Sequence, residues 1–123
     1  MKIFLGTPFS SKVDEGGVVL KEFRSEIEYL LKSLRENGHE VFCAVEHEGW
    51  RIQNVDPVEA WRKDWSAVKD SDIAIFVMED ELSAGVQVEI GAALAWNKKV
   101  IFIKEGGIET MGWSNGTICK SLI

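Results

Sequence analysis

Four short apolar runs alternate along the chain with segments of helical periodicity, and this alternation constrains the fold more than any other feature. The runs cover residues 2–5, 39–45, 72–78 and 99–103. The third run, DIAIFVM, is almost continuously apolar, which is typical of a parallel strand buried on both faces. Strands that alternate with helices form a parallel sheet with right-handed crossovers. We therefore predict an α/β domain with a Rossmann-like, doubly wound parallel sheet of four to five strands and helices on both faces.

Three segments between or beside these runs have the signatures of helices. Across residues 19–37 the apolar side chains recur every three or four positions, which places them on one face of a helix. An aspartate followed by a proline predicts the start of a second helix over 57–69. Ser83 is a favoured N-cap residue and predicts a third helix over 83–97. The helices thus fall where crossover connections are needed.

The segments that follow the strands are where a ligand is expected. In open parallel sheets, ligands bind at the carboxyl ends of the strands, beside the point where the strand order reverses. The loops over 6–17, 46–56 and 78–84 are therefore the candidate binding loops. Near the end of the chain, residues 106–116 are predicted to form a loop and residues 117–123 a last strand.

Charge and cysteine content limit the classes of partner. The chain has 14 Lys and Arg against 20 Asp and Glu, a net charge of −6. Nucleic-acid binding relies on basic patches, so we expect neither a nucleic-acid nor a membrane-surface partner. Neither Cys43 nor Cys119 has metal-like spacing, and neither histidine has a partner at such spacing, so no metal or cofactor is expected. We predict a single domain over residues 1–123, with reduced cysteines in the cytoplasm.

One carboxylate lies within the most apolar of the predicted helices. Glu89 stands in the segment SAGVQVEIGAALAW, which is apolar on nearly every side, so we expect this helix to be buried all round, against the sheet and a second subunit. A lone carboxylate there is costly unless it is paired or used in chemistry. The alternative is a carboxylate at a solvated gap.

The start of the same helix is a candidate anion site. Free N–H groups and the helix dipole at Ser83 attract an anion, and Gly85 lets a ligand approach the backbone. Ser83 lies roughly 9 Å from Glu89 along the helix axis, close to the span of a sugar phosphate. The helix N-terminus is also expected to keep Glu89 ionised. The plain alternative is an ordinary capped helix.

Three segments resemble the nucleoside 2-deoxyribosyltransferase-like superfamily. They are IFLGTPFS near the start, RKDWSAVKDSDIAIFV in the middle, and SAGVQVEIGAALAWNKKVIFI. The pattern Ser-x-Gly-x-x-x-Glu-x-Gly over 83–91 is the most specific of these matches. Within the superfamily, the chain resembles the nucleoside 5′-monophosphate N-glycosidases, which include cytidylate hydrolases.

The resemblance implies a role for several residues. Glu89 matches the nucleophile that forms a covalent glycosyl-enzyme, and Asp64 matches a second acidic residue near the base and sugar. Ser83 matches a phosphate-binding serine of the hydrolases, at a position where the transferases typically carry an acidic residue. From the residues alone, Asp64 would be a surface carboxylate. The further substrate-binding positions that the resemblance implies are Gly6, Phe9, Ser10, Trp50 and Gly85.

The chain departs from the family pattern at three positions. Phe4 stands where many members carry a tyrosine that touches the nucleophile, so other groups would have to orient Glu89. Ser10 replaces a basic residue of some cytidylate hydrolases, which leaves the choice of base open. Ser114 is a candidate for the phosphate-binding serine that a neighbouring subunit supplies in some relatives.

The resemblance implies an enzyme that hydrolyses the N-glycosidic bond of a nucleoside 5′-monophosphate, with a pyrimidine such as CMP favoured. Breaking this bond builds oxocarbenium character, which a carboxylate stabilises while a second carboxyl supplies a proton to the base. The alternatives are base exchange by a 2-deoxyribosyltransferase and a non-catalytic nucleotide-binding module, which Phe4 favours. A small-molecule nucleotide or nucleoside is the expected partner, in a homodimer.

Trp61 and Trp65, four residues apart, are predicted to pack in the core or at the interface.

Overall fold

The computed structural model describes residues 1–53, 56–78, 83–104, 107–111 and 118–121, with side chains up to residue 103. Its strands are β1 (Lys2–Gly6), β2 (Glu40–Cys43), β3 (Ile73–Val77), β4 (Lys99–Lys104), β5 (Gly107–Met111) and β6 (Ile118–Ser121). Its α-helices are α1 (Lys21–Glu36), α2 (Ala44–His47), α3 (Pro57–Asp70) and α4 (Ala84–Ala95). The predicted loop after β1 contains a single turn of 3₁₀ helix, Ser10–Lys12. None of the helices in these ranges is long and apolar enough to span a membrane.

The strands form one sheet in the order β2-β1-β3-β4-β5-β6. The pairings of β1 with β2, of β1 with β3 and of β3 with β4 are parallel, whereas β5 and β6 are added antiparallel. The predicted α/β architecture and the last strand are confirmed. The loop predicted over 106–116 is wrong at Gly107–Met111, because the free edge of β4 supplies the partner that turns this weakly patterned segment into a strand.

Helices cover both faces of the sheet, and the two faces have separate cores. On one face Ile3 and Leu5 of β1 pack with Ile27 of α1. On the other face Phe4 of β1 packs with Val68 of α3 and with buried residues of α4. Because successive side chains of a strand point to opposite faces, one apolar run supplies both cores. This explains why the strands lack polar alternation.

The second strand is shorter than predicted. It ends at Cys43, and the segment predicted as the end of the strand and the start of a loop forms the one-turn helix α2 instead. The guanidinium of Arg35, near the end of α1, donates to both carboxylate oxygens of Glu46 at 2.8 and 2.6 Å and to the carbonyl of Val41. This contact lowers the pKa of Glu46. It fixes α2 against α1, a tertiary effect that local sequence does not encode.

Helix α4 is only partly buried within the single chain. Within the single chain only Val86 and Ala93 of this helix are buried, while Ala84, Gly91 and Ala95 are exposed. A sheet face covers only one stripe of a helix, so burial of the rest of α4 by a second subunit stays a prediction.

Candidate active site

A cavity of about 230 Å³ lies at the carboxyl ends of the parallel strands. The chain leaves β1 to build β2 on one side and returns to build β3 on the other, so the strand order reverses beside β1. Such reversal points are where ligands bind in open α/β sheets. The cavity gathers six of the residues predicted for the site: Gly6, Phe9, Asp64, Ser83, Gly85 and Glu89.

The N-terminus of α4 opens into this cavity. The hydroxyl oxygen of Ser83 accepts a hydrogen bond from the Val86 N–H at 3.2 Å and so caps the helix. Its hydroxyl proton can still be donated to a ligand. A side chain added at Gly85 would meet no atom within 4 Å, so glycine leaves open space beside the first backbone N–H groups. The arrangement can accept an anion at the helix terminus.

Gly6, the last residue of β1, is required for a reason that the sequence does not show. A Cβ atom built at Gly6 would lie 2.5 Å from the Cδ1 atom of Phe76. Phe76 is fully buried in the core of the α3–α4 face. Core packing therefore requires glycine at the floor of the cavity, in addition to any contact with a ligand.

Asp64 of α3 and Glu89 of α4 line the same cavity, and burial disfavours the ionised form of both carboxyls. Burial, followed by the charge of Asp64, raises the pKa of Glu89 to about 8. Burial, followed by the charge of Glu48, raises the pKa of Asp64 to about 6. Between these values the two carboxyls together hold one proton.

The expectation that the helix N-terminus keeps Glu89 ionised is contradicted by the raised pKa of this carboxyl. Glu89 is the sixth residue of α4, whereas the favourable field of a helix terminus falls off within the first turn. Burial therefore dominates, and Glu89 is mostly protonated at neutral pH.

Glu48 is a cavity residue that the sequence analysis missed. It follows α2 directly, lines the cavity with Asp64, and burial raises its pKa. The available signal was its position in a polar segment after a predicted strand, where ligands bind. Among the described residues, the cavity lining carries three carboxyls and no Lys or Arg side chain.

Trp61 and Trp65 also line the cavity. They remain 51% and 42% exposed, so packing in the core of the chain, one of the two predicted places, is wrong for both. Their spacing of four residues places them on one side of α3, but this pattern is shared by buried and ligand-facing stripes. Sequence alone could not distinguish the two.

Trp50, for which the resemblance implies a substrate-binding role, is not among the residues that line the cavity. It is only 7% exposed and belongs to the core beneath α1, and the guanidinium carbon of Arg24 lies 4.9 Å from the centre of its ring. Its backbone N–H donates to the carbonyl of Val45 in α2, and its φ of 63° turns the chain there. Because α2 replaces part of the predicted loop, the indole is directed into the core.

Three further positions differ in their placement. Ser10 is exposed at the start of the 3₁₀ helix and is not among the residues that line the cavity. Phe4 is fully buried and stacks on Phe42 with ring centroids 5.9 Å apart. Ser114 lies outside the described residues. In the ranges that the structure covers, no three His, Cys, Asp or Glu residues are grouped so as to hold a metal ion.

Comparisons with known proteins agree with this fold. No protein-family model matches the sequence, and no curated protein sequence matches it significantly. Among solved structures, the CMP N-glycosidase BcmB of Clostridium botulinum is 26% identical with a TM-score of 0.62, over 85% of this chain and 71% of that chain. A 2-deoxyribosyltransferase of Bacillus psychrosaccharolyticus is 22% identical with a TM-score of 0.65, over 85% of this chain and 72% of that chain, and supports the fold. Fold and sequence resemblance thus agree, and both support the nucleoside 2-deoxyribosyltransferase-like superfamily.

Proposed function

We propose that the protein hydrolyses the N-glycosidic bond of a nucleoside 5′-monophosphate, releasing the free base and a (deoxy)ribose 5-phosphate. A pyrimidine nucleotide such as CMP is the favoured substrate. The observation that carries this proposal is that Glu89 and Asp64 line one cavity with the Ser83-capped N-terminus of α4. The similarity to a CMP N-glycosidase supports it.

The dimensions of the site suit a nucleotide. The cavity extends from Glu48, after β2, to Ser83, before α4, and so crosses from β2 past β1 to β3. Two strand spacings correspond to about 10 Å. In the proposed orientation the phosphate lies at Ser83, the anomeric carbon C1′ at Glu89, and the base towards Asp64.

In the proposed first step the Glu89 carboxylate attacks C1′. The bond between C1′ and the base nitrogen breaks, its electron pair stays on the base, and the base takes a proton from Asp64. The pair already holds one proton, mostly on Glu89, so the reaction needs only to shift that proton to Asp64. The positive charge that develops at C1′ favours this shift, because it stabilises the ionised form of Glu89.

In the second step water attacks C1′ of the glycosyl ester. Asp64, now ionised, takes a proton from the water, and Glu89 leaves as a carboxylate. The sum of the two steps is one nucleotide plus one water giving one base and one sugar phosphate. Two displacements at C1′ retain the configuration of the sugar.

The shared proton predicts a bell-shaped pH dependence of kcat/KM. Below a pH of about 6 Asp64 gains a proton and both carboxyls are neutral, so no carboxylate is left to attack. Above about 8 Glu89 also loses its proton, so none is left for the base. Initial rates of base release between about pH 5 and about pH 9.5 measure this profile.

A matched variant assigns the acidic limb of that profile. The charge of Glu48 raises the pKa of Asp64, so Glu48→Gln should move the acidic limb to lower pH and leave the alkaline limb in place. A rate that rises steadily with pH through the alkaline range would contradict the proton-sharing mechanism.

The direct test of function is incubation with a panel of nucleosides and nucleotides, with free base and sugar phosphate as products. Release of base from CMP without an acceptor supports the hydrolase. Base exchange that requires a second base as acceptor would show a transferase instead. Nucleotide binding without release of base would show a binding module, the function that Phe4 favours in place of the family tyrosine.

We further propose that the protein is a homodimer that pairs through the region of α4. Large apolar side chains are exposed in the single chain, among them Val58 and Trp96, and α4 buries few of its apolar residues. A monomer of this size rarely exposes a large apolar patch. A two-fold pairing would bury such a patch, and Ser114 is the residue that we propose one subunit contributes to the site of the other.

Light scattering at micromolar concentration tests this assembly. We expect a particle of twice the chain mass of 13.8 kDa. Dilution should reduce the specific activity as dimers dissociate, because a shared site is incomplete in the monomer. Full activity in a particle of one chain would contradict the shared site.

A further inference from the structure

We propose that Trp61 and Trp65 of α3 form a stacking wall for the base of the substrate, and that this wall supplies affinity without selecting which base is bound. This inference rests on the proposed function and extends it, because the resemblance implies no role for either residue.

The helix geometry places both indoles beside the acidic residue of the site. Four residues of α3 line the cavity: Ala60, Trp61, Asp64 and Trp65. Positions separated by four lie one above the other on a helix, so these residues form two adjacent rows on one face. Asp64, the proposed proton donor to the base, therefore lies beside both indoles on the same face of α3.

The two indoles expose apolar surface that a bound ligand could cover. About half of Trp61 and somewhat less of Trp65 remain exposed although both border a concave site. An indole carries a large apolar face, and stacking on a planar ring removes that face from water. Tyr29 of α1 is another exposed aromatic residue, at 75%, but is not among the residues that line the cavity, and so provides a comparison within the chain.

The acidic lining of the cavity explains why an anionic nucleotide would need uncharged contacts for its binding. Glu48, Asp64 and Glu89 line the cavity, and the described lining residues include no Lys or Arg to offset them against an anionic substrate. Affinity must then come from the capped start of α4 at the phosphate and from uncharged contacts elsewhere. Stacking on an indole is such an uncharged contact. Because every base has a π-face, stacking does not depend strongly on which base is bound.

The test measures binding of CMP and AMP by calorimetry in a Glu89→Gln background, where substrate is not consumed. Trp61→Ala and Trp65→Ala should each weaken binding about tenfold for both nucleotides. Trp61→Phe and Trp65→Phe keep an aromatic face and should bind within about threefold of the parent. Tyr29→Ala should bind as the parent does. In the protein with Glu89 intact, KM for base release should rise more than kcat falls.

The outcomes distinguish a failure of the stacking wall from a failure of the proposed function. If the Ala variants bind both nucleotides within twofold of the parent, the wall is overturned, whether or not base is released. A fall in particle mass in those variants would then identify the indoles as contacts between two copies of the chain. If binding weakens as expected but the protein with Glu89 intact releases no base from any nucleotide, the proposed function fails and the wall stands. A loss for only one of the two nucleotides would contradict tolerance of base identity.

Discussion

Glu89→Gln should abolish base release and at the same time raise the thermal midpoint of unfolding at alkaline pH. The amide cannot attack C1′, so less than a few per cent of the original turnover should remain. Nucleotide binding should persist, because the amide has nearly the shape of the carboxyl. The gain in stability has a separate cause, which is the cost of ionising a buried carboxyl.

The sign of the stability change depends on pH. Burial raises the pKa of Glu89 from 4.5 to about 8 in the folded protein, so the favourable contribution of its protonated form is complete below 4.5 and is lost as the pH rises through about 8. The glutamine variant has no such loss. The rise from 4.5 to about 8 corresponds to about 5 kcal/mol at most. We therefore expect the variant to gain several kcal/mol over the parent at pH 9, on the order of 10 °C, and to gain little at pH 4.

Thermal unfolding at these two pH values, together with assays of base release, checks the prediction. Glu36→Gln is the control, because Glu36 lies exposed on α1 in a pair with Lys32 and its removal should change neither quantity appreciably. An equal gain at both pH values would show that the effect does not come from ionisation. Substantial turnover in Glu89→Gln would overturn its assignment as the nucleophile.

Ser83→Ala should reduce the preference for nucleotide over nucleoside by about tenfold, measured as the ratio of the two kcat/KM values. Hydrogen bonds to a charged phosphate are stronger than those to a neutral hydroxyl. Their loss should therefore lower kcat/KM for the nucleotide but not for the nucleoside. The variant should also lose about 1 kcal/mol of stability, since the Ser83 hydroxyl oxygen caps α4. Ser83→Thr keeps the hydroxyl and should keep both properties.

A second capping residue separates the two effects. The Asp56 carboxylate caps α3 by accepting a hydrogen bond from the Val58 N–H at 3.1 Å. Asp56→Ala should lower stability by a similar amount while it leaves the preference for nucleotide unchanged. If the protein uses nucleoside and nucleotide with equal efficiency before any substitution, Ser83 is not a phosphate site and the transferase is favoured.

Much of the architecture was predictable from the sequence because it depends on local patterns. The apolar runs fixed the four parallel strands, and the capping residues Asp56 and Ser83 marked the starts of α3 and α4. The relation of Ser83 to Glu89 was predictable too, since both lie on one helix of regular rise. The likeness to a family added Asp64, which its own surroundings in the sequence do not distinguish from a surface carboxylate.

Only the tertiary structure decided which side chains surround the cavity and how they ionise. Trp50 turns into the core while Trp61 and Trp65 border the cavity, although all three are tryptophans in polar stretches of sequence. Glu48 and Asp64 come from elements far apart in the chain, and their proximity shifts a pKa. The segment Gly107–Met111 is a strand because β4 offers it an edge. Periodicity specifies the face of a helix or strand, but burial and charge proximity depend on which elements pack together, and that is a property of the whole fold.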